Sequence, residues 1–352
     1  MIKNQFHKSF NLNEKSFTEV EELINFSKTI SVEVHSFLID WFDTKLFVEV
    51  KTSGSTGTPK IIKLQKEFMI NSALATGSYF NLNEKTTALL CMSANYIAGK
   101  MMLVRALTLG WHLDVVEANS NPLKDLDKTY DFSAMVPLQL NNSLNEIHKV
   151  KRLIVGGGVV SNELLQKIKN IKTEIFATYG MTETITHIAV KRLNYHSEGN
   201  EESHYTTLTN ISISKDKRGC LIINAPKVSS EEIITNDLVE LISEKEFKWL
   251  GRYDSVINSG GIKLIPEQIE EKLSSIINNR FFVAGIQDAV LGEKLVLIVE
   301  GNIDNGTLNQ VKNLNSLSKF EIPKEIFFTS KFVETPTKKI NRLKTLSLLN
   351  KD

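Results

Sequence analysis

From Gln65 to Thr178 the chain alternates between two kinds of hydrophobic pattern, and this constrains the fold more than any other feature. Helical spacing covers Gln65 to Tyr79, Gly99 to Leu109, Leu138 to Ile147 and Asn162 to Lys169. Between them lie apolar runs of strand length: Thr87 to Ser93, Leu113 to Glu117, Phe132 to Val136, Arg152 to Val155 and Glu174 to Thr178. Strand, helix and strand in succession make βαβ crossovers, whose strands run parallel. The expectation is an α/β fold, with a large N-terminal domain of largely parallel sheets flanked by helices.

Upstream, Ser16 to Glu19 has the spacing of a capping box before Phe17, Val20, Leu23 and Ile24, and Val34, Phe37, Leu38 and Trp41 mark a second helix. The hexamer Phe-Asn-Leu-Asn-Glu-Lys occurs at Phe10 and again at Phe80, too short and isolated for a repeat architecture. Downstream, 193–204 turns polar and acidic, as an exposed connection would. Gly219 to Asn224, Leu238 to Ile242 and Phe247 to Leu250 are then short strands at hairpin spacing. Helices at Pro266 to Ile277 and Leu308 to Leu317 with strands at Phe281 to Gly285 and Leu295 to Val299 make a small C-terminal α+β domain. The boundary falls near Arg252-Tyr253-Asp254, giving domains 1–251 and 252–352.

With 352 residues the chain is long enough for two or three domains and a large core. Forty-two basic residues balance 41 acidic ones, which leaves no footprint for nucleic acid. Cys91 and Cys220 are too few for a disulfide framework and point to a reducing, cytoplasmic compartment. The N-terminus lacks the apolar core of a signal peptide, and no apolar run approaches the ~20 residues of a membrane span. His187, His196 and His204 are too widely spaced for one helix face, so no zinc site is assigned.

The densest chemistry is Lys51-Thr52-Ser53-Gly54-Ser55-Thr56-Gly57-Thr58-Pro59-Lys60. Two glycines let backbone N–H groups converge, and hydroxyls with Lys60 complete a socket for phosphate oxygens. It is not a Walker loop, because Gly57 is followed by Thr58-Pro59-Lys60; a hydroxyl-rich hairpin is the plainer alternative. Ala177-Thr178-Tyr179-Gly180-Met181-Thr182-Glu183-Thr184 sits at a strand end, where ligands of open α/β sheets bind. Glu183 there can hold Mg²⁺ against phosphate oxygens and Thr182 can bond the nucleotide; a strand end followed by a capped helix is the bland alternative. Gly156-Gly157-Gly158 lets a flat ligand lie against bare backbone.

The loop Thr52 to Lys60 resembles the phosphate loop of the adenylate-forming family, which includes acyl-CoA synthetases, nonribosomal adenylation domains and luciferases. Tyr179 to Glu183 resembles that family's Tyr-Gly-x-Thr-Glu motif. The resemblance makes Glu183 a metal ligand, Thr182 a phosphate contact and Tyr179 a ring near adenine, with Gly156, Gly157 and Gly158 lining the nucleotide and acyl pockets. Asn236-Asp237-Leu238 is similar to Thr-Gly-Asp-Leu, so Asp237 would bind ribose hydroxyls, with Asn236 at the usual glycine of a turn. Gly251-Arg252-Tyr253-Asp254 matches Gly-Arg-x-Asp, implying that Arg252 contacts ribose and Asp254 is the hinge. Ser259-Gly260-Gly261 would shape a tunnel for the thiol. Thr335 to Arg342 resembles the ending that carries the catalytic lysine, here Lys339, with Lys338 one residue away as the alternative.

The resemblance implies two steps, with ATP, Mg²⁺ and CoA as cofactors and co-substrate. A carboxylate is activated to an acyl-adenylate, then transferred to the thiol as the small domain rotates. Asn95 to Arg105 is similar to the His-x-x-Gly-x-x-x-x-x-Arg stretch of the o-succinylbenzoate–CoA ligase branch, with Tyr96 at the histidine. Lys100 or Arg105 would meet the second carboxylate of such an acid; a helix with two snorkelling cations is the plain alternative. Partners are therefore small molecules, and a homodimer is compatible with the sequence. The departure from the family is length, because its members carry a longer segment before the phosphate loop than residues 1–50.

Overall fold

The structure, a computed structural model, describes residues 5–51, 61–194, 204–302, 305–335 and 340–349. The βαβ expectation is met. Strands Asn11–Leu12, His112–Val115, Thr87–Leu90, Tyr130–Met135, Val150–Val155 and Glu174–Gly180 lie side by side in that order, each parallel to the next. Helices Lys66–Phe80, Ile97–Leu109, Pro137–Asn142 and Asn162–Ile168 alternate with them. These strands are nearly continuous apolar runs because both faces are covered: Leu89, Phe132, Leu153 and Ile175 are all fully buried.

After Glu174–Gly180 the topology changes. His187–Arg192, Tyr205–Thr207, Glu246–Arg252, Ile233–Leu241, Cys220–Asn224 and Ser212–Lys215 extend the same sheet with antiparallel pairing throughout; with Lys15–Ser16 beside Asn11–Leu12 at the other end, the sheet has thirteen strands among the described residues. The change matters for the site. It lays the end of Glu174–Gly180 against antiparallel strands whose side chains reach across to it.

The N-terminal residues pack as an aromatic wedge. Phe10, Phe17, Phe37, Trp41 and Phe42 are buried in the same core as Trp111 and Phe132. Here one expectation fails. The first helix is Val20–Ser27 with Glu19 at its cap, whereas Ser16 lies in the short strand Lys15–Ser16, so the capping-box spacing is coincidental. The helix expected to reach Ile147 stops at Asn142, and a 3-10 turn at Ile147–Lys149 leads into the next strand. Asn236 and Asp237 are not in a turn either. They lie inside the nine-residue strand Ile233–Leu241, with Asp237 paired to Arg252.

A second sheet of five strands contains Ile257–Ser259, Ile262–Leu264, Phe281–Asp288, Gly292–Glu300 and Glu325–Thr329. Helices Pro266–Leu273 and Asn305–Asn313 cover one face through Ile269, Leu273 and Val311, while Phe282, Val296 and Phe332 form a smaller core on the other. These cores share no buried residue with those of the large sheet. No helix among the described residues is long and apolar enough to cross a membrane.

Candidate active site

Strands Val150–Val155 and Glu174–Gly180 run parallel with Val155 opposite Ala177, so their carboxyl ends leave the sheet side by side. One end continues into Gly156-Gly157-Gly158. Gly157 has φ 79°, which side chains rarely adopt, and all three open the rim between Pro137 and Thr178. The other end carries Tyr179 and then a single 3-10 turn, Thr182–Thr184.

That turn is unusually constrained. The buried Thr184 hydroxyl accepts from the Met181 N–H at 2.9 Å and faces the carbonyls of Met181 and Thr186 at 2.9 and 2.7 Å. Ile185 sits at φ 66°, ψ −60°, and the Thr186 N–H reaches the Thr184 carbonyl at 2.7 Å. This is a γ-turn of the rare positive-φ kind on a buried β-branched residue. Strain of this sort, of order 1–3 kcal/mol, persists only where the surroundings impose it. Its consequence is that Glu183 stands exposed on a rigid turn with no hydrogen-bond or ion-pair partner among the described residues.

Gly180 lets the turn close. A Cβ on it would lie 2.2 Å from the Thr186 carbonyl oxygen and 2.6 Å from the His187 Cα, both backbone atoms that no rotamer change can move. Gly180→Ala is expected to cost about 1–3 kcal/mol by overpacking. Denaturant unfolding checks it, and an unchanged midpoint would mean that the two strands separate freely.

Beside the turn the antiparallel strands build a polar cluster around Asp237, which is 7% exposed. Its carboxylate accepts from the Tyr179 hydroxyl at 2.5 Å and the Trp249 indole at 3.2 Å, with the Arg252 guanidinium at 3.7 Å. Thr235 Oγ1 accepts from the Asp237 N–H at 3.0 Å. Burial and the neighbouring carboxylate push the Tyr179 phenol far up, so it stays a donor. Its ring packs against Phe247 and Tyr205 at 5.2 and 5.7 Å between centroids.

Arg252 also grips Asp254 with two bonds of 3.0 and 2.8 Å, holding that carboxyl below its usual range. Arg218 donates to the Asn236 side chain at 2.9 Å and the Thr235 carbonyl at 3.1 Å, which explains why asparagine serves in the strand. Tyr179, Asp237, Arg252 and Asp254 thus form one continuous network.

The second group lies on helix Ile97–Leu109. Tyr96 is exposed at its start. Lys100 is largely buried with its ammonium 4.9 Å from the Phe37 ring centre; burial lowers its pKa and Asp40 opposes that shift. Arg105 is 1% exposed and has no carboxylate partner among the described residues. Its Nε donates to Thr76 Oγ1 at 3.3 Å, one terminal nitrogen faces the Met102 sulfur at 3.7 Å, and the other faces His187 Nδ1 at 3.5 Å. Desolvation pushes the guanidinium down to about 9, which still leaves it charged at neutral pH.

The phosphate loop Thr52 to Lys60 and the lysines Lys338 and Lys339 lie outside the described residues. The flanks of both are described. Phe47–Lys51 and Ile61–Gln65 form an antiparallel pair with Lys51 opposite Ile61. Glu334 bridges to Ile340, and Arg342 pairs with Glu270 at 2.8 Å. Sequence reasoning missed Trp249, Tyr205, Phe247, Arg218 and His187. These residues acquire their places through antiparallel pairing and long-range contact, for which periodicity holds no signal.

Residues 50–213 match the family described as AMP-binding enzyme. The crystal structure of an acyl-CoA synthetase (AMP-forming)/AMP-acid ligase II-like protein from Dyadobacter fermentans is 37% identical, over 90% of this chain and 93% of that one, with a TM-score of 0.60. The 2-succinylbenzoate–CoA ligase of Lactococcus lactis is 23% identical, over 87% of this chain and 72% of the relative. The o-succinylbenzoate CoA synthetase of Bacillus subtilis, solved with its acyl-adenylate, superimposes with a TM-score of 0.72 at 21% identity, over 86% of this chain and 68% of that one. With its glycine rim, its Thr-Glu turn and its aspartate–arginine network carried by strands of one sheet, the chain belongs to the AMP-binding family of adenylate-forming acid–thiol ligases.

Proposed function

We propose that this chain is an AMP-forming CoA ligase for an aromatic dicarboxylic acid, o-succinylbenzoate, in menaquinone synthesis. One observation carries the choice of acid: Arg105 is buried with no carboxylate among the described residues to neutralise it. A lone desolvated cation is costly unless a ligand supplies the anion. An acid with a second carboxylate supplies one, and relatives that act on 2-succinylbenzoate are consistent with it.

In the first step an oxygen of the acid attacks the α-phosphorus of ATP, the bond to the β-phosphate oxygen breaks, and pyrophosphate leaves. Charge spreads over phosphate oxygens, so positioned cations and N–H donors do most of the work. Residues 52–60 would hold the phosphates, and Lys339, or Lys338 beside it, would meet the α-phosphate. Asp237 and Arg252 would hold ribose, with the hydrogen bonds that Tyr179 and Trp249 donate to Asp237 keeping its carboxylate aimed.

Glu183 fits a divalent cation. It is exposed, with no hydrogen-bond or ion-pair partner among the described residues, so its carboxylate is available to a ligand. That is the donor set of Mg²⁺ bound through one carboxylate and substrate phosphates. When bound, Mg²⁺ would neutralise charge on the phosphate oxygens.

In the second step the thiol sulfur of CoA attacks the acyl carbon, AMP departs, and the thiol proton is lost to solvent. Residues 252–352 would turn about Asp254 between the steps, exchanging the lysine for the thiol tunnel at Gly260 and Gly261. The compartment implied is the cytoplasm.

A second reading is a ligase for another aryl acid, favoured by a 25%-identical relative named 3,4-dihydroxybenzoate–[aryl-carrier protein] ligase. Pyrophosphate release with Mg²⁺-ATP and a panel of carboxylic acids, with and without CoA, separates the two. Turnover of o-succinylbenzoate to a CoA thioester is expected; turnover of monocarboxylic aryl acids alone would overturn the substrate while keeping the chemistry.

A further inference from the structure

Helix Pro266–Leu273 presents two faces. Ile269 and Leu273 are buried in the core of the small domain. Glu267, Glu271 and Ser274, spaced four and three residues apart, share a different stripe of the helix. That stripe meets the large domain. At its start, Glu267 occupies the place a side chain on Gly251 would take, since a Cβ there would lie 2.5 Å from Glu267 Oε2. At its end, Asn162 Nδ2 donates to Ser274 Oγ at 2.6 Å and lies 3.4 Å from the Glu271 carbonyl. The Ser274 hydroxyl donates to that same carbonyl at 2.6 Å, so its oxygen is free to accept from Asn162. The Glu271 carboxylate also acts on Lys191, whose ammonium stands 5.1 Å from the Tyr205 ring centre; burial lowers the Lys191 pKa and Glu271 opposes that shift.

Both large-domain residues adjoin the candidate site. Asn162 opens the helix that follows the glycine rim, and Lys191 packs on Tyr205, which packs on Tyr179. The two ends of the stripe respond differently to a rotation about Asp254. Glu267 abuts the residue before Arg252, close to that pivot. Ser274 lies seven residues on, roughly 10 Å along the helix axis, so the same turn displaces it further. No buried apolar core is shared across the boundary, and a polar contact of this kind suits domains that move against each other.

The orientation held by this contact is not that of thiol transfer. Gly261 is exposed, with no described residue within 4 Å of where its Cβ would be. Gly260, also exposed, meets the Leu291 side chain of its own domain. The hairpin that would shape the thiol tunnel therefore stands clear of the large domain.

We propose that Asn162 is a positioning residue for the first step. Through Ser274 and Glu271, with Lys191 beside it, Asn162 holds the small domain in the orientation that precedes thiol transfer, and this contact parts before the second step. The proposal rests on the two-step reading above.

Two readouts on the full chain test it. The first needs no turnover. Spin labels on Glu163→Cys and Ser275→Cys, both exposed beside the contact, report its separation, while Cys91 and Cys220 are buried and stay unlabelled. A short distance should dominate in the labelled parent. Its ratio to longer distances should fall about two- to tenfold with Asn162→Ala or Ser274→Ala, as for one lost hydrogen bond. Ser274→Thr keeps the hydroxyl and should keep the short distance, and Asn162→Ala with Ser274→Ala should cost no more than either alone. The second readout separates the half-reactions: pyrophosphate–ATP exchange with the acid the parent turns over best, and thioester formation when CoA is added to preformed acyl-adenylate. Asn162→Ala should slow exchange by a similar factor and leave thioester formation unchanged or faster. Unmoved distances, equal slowing of both steps, or slower thioester formation with intact exchange would each overturn the proposal. If the parent makes no thioester from any acid, the CoA-ligase reading fails, and the label distances still decide whether Asn162 holds the domain.

Discussion

Glu183→Gln is expected to slow pyrophosphate release about 100- to 1,000-fold, the loss typical of removing one preorganised charge-stabilising group. The magnitude follows from the setting. The carboxylate has no partner among the described residues to compete for it, and its turn is locked by Thr184 and the γ-turn at Ile185. The amide keeps the shape and removes the charge, so affinity for the divalent cation should fall with the rate. Because the side chain is exposed, the unfolding midpoint should not move. Titrating Mg²⁺ at saturating ATP is the check. A rate within a few-fold of the parent at all Mg²⁺ concentrations would remove Glu183 from the site.

Arg105→Met should change affinity and stability in opposite directions. Losing a desolvated partner of a charged ligand group costs about 2–5 kcal/mol of binding, or roughly 30- to 5,000-fold in affinity for the dicarboxylate. Stability should hold or rise, since an apolar side chain of similar length relieves an uncompensated buried charge. Calorimetric binding of o-succinylbenzoate and thermal unfolding of the same preparations read both. A fall in melting temperature with unchanged binding would show that Arg105 serves the core, with Thr76 and Met102 as its sufficient partners.

How far the sequence reaches is clearest at particular elements. Helix Lys66–Phe80 and strand Glu174–Gly180 were legible within a residue or two, because periodicity reports which faces are covered. The Thr-Glu turn was legible as a motif, but its strain was not: nothing in Thr184-Ile185-Thr186 announces that a β-branched residue will take φ 66°. That conformation follows from Thr184 bonding back to Met181 while His187 pairs across to Gly180. Asp237 was found by resemblance and assigned to a turn. The strand that holds it is set by pairing with Glu246–Arg252, a partner several residues away in sequence and adjacent only after folding.

The repeated hexamer makes the same point in miniature. At Phe10 it forms a short strand and a tight turn, with Asn13 and Glu14 at positive φ; at Phe80 it ends a helix, with Asn81 and Lys85 at positive φ. Both copies bury phenylalanine and leucine, Phe10 with Leu12 and Phe80 with Leu82. The apolar positions and the turn-forming asparagines are properties of the residues and survive in either setting.

The sequence by itself therefore determined the alternating architecture, the motif order and the charged groups available for adenylation, because these depend on local pattern and composition. Only the tertiary structure decided that Arg105 is buried with no acid partner among the described residues, that His187 Nδ1 faces it, and that Tyr179, Trp249 and Arg252 converge on Asp237. Those contacts join residues 12 to 82 positions apart, and the gain comes from burying polar groups together, a quantity that exists only once the chain has closed around them.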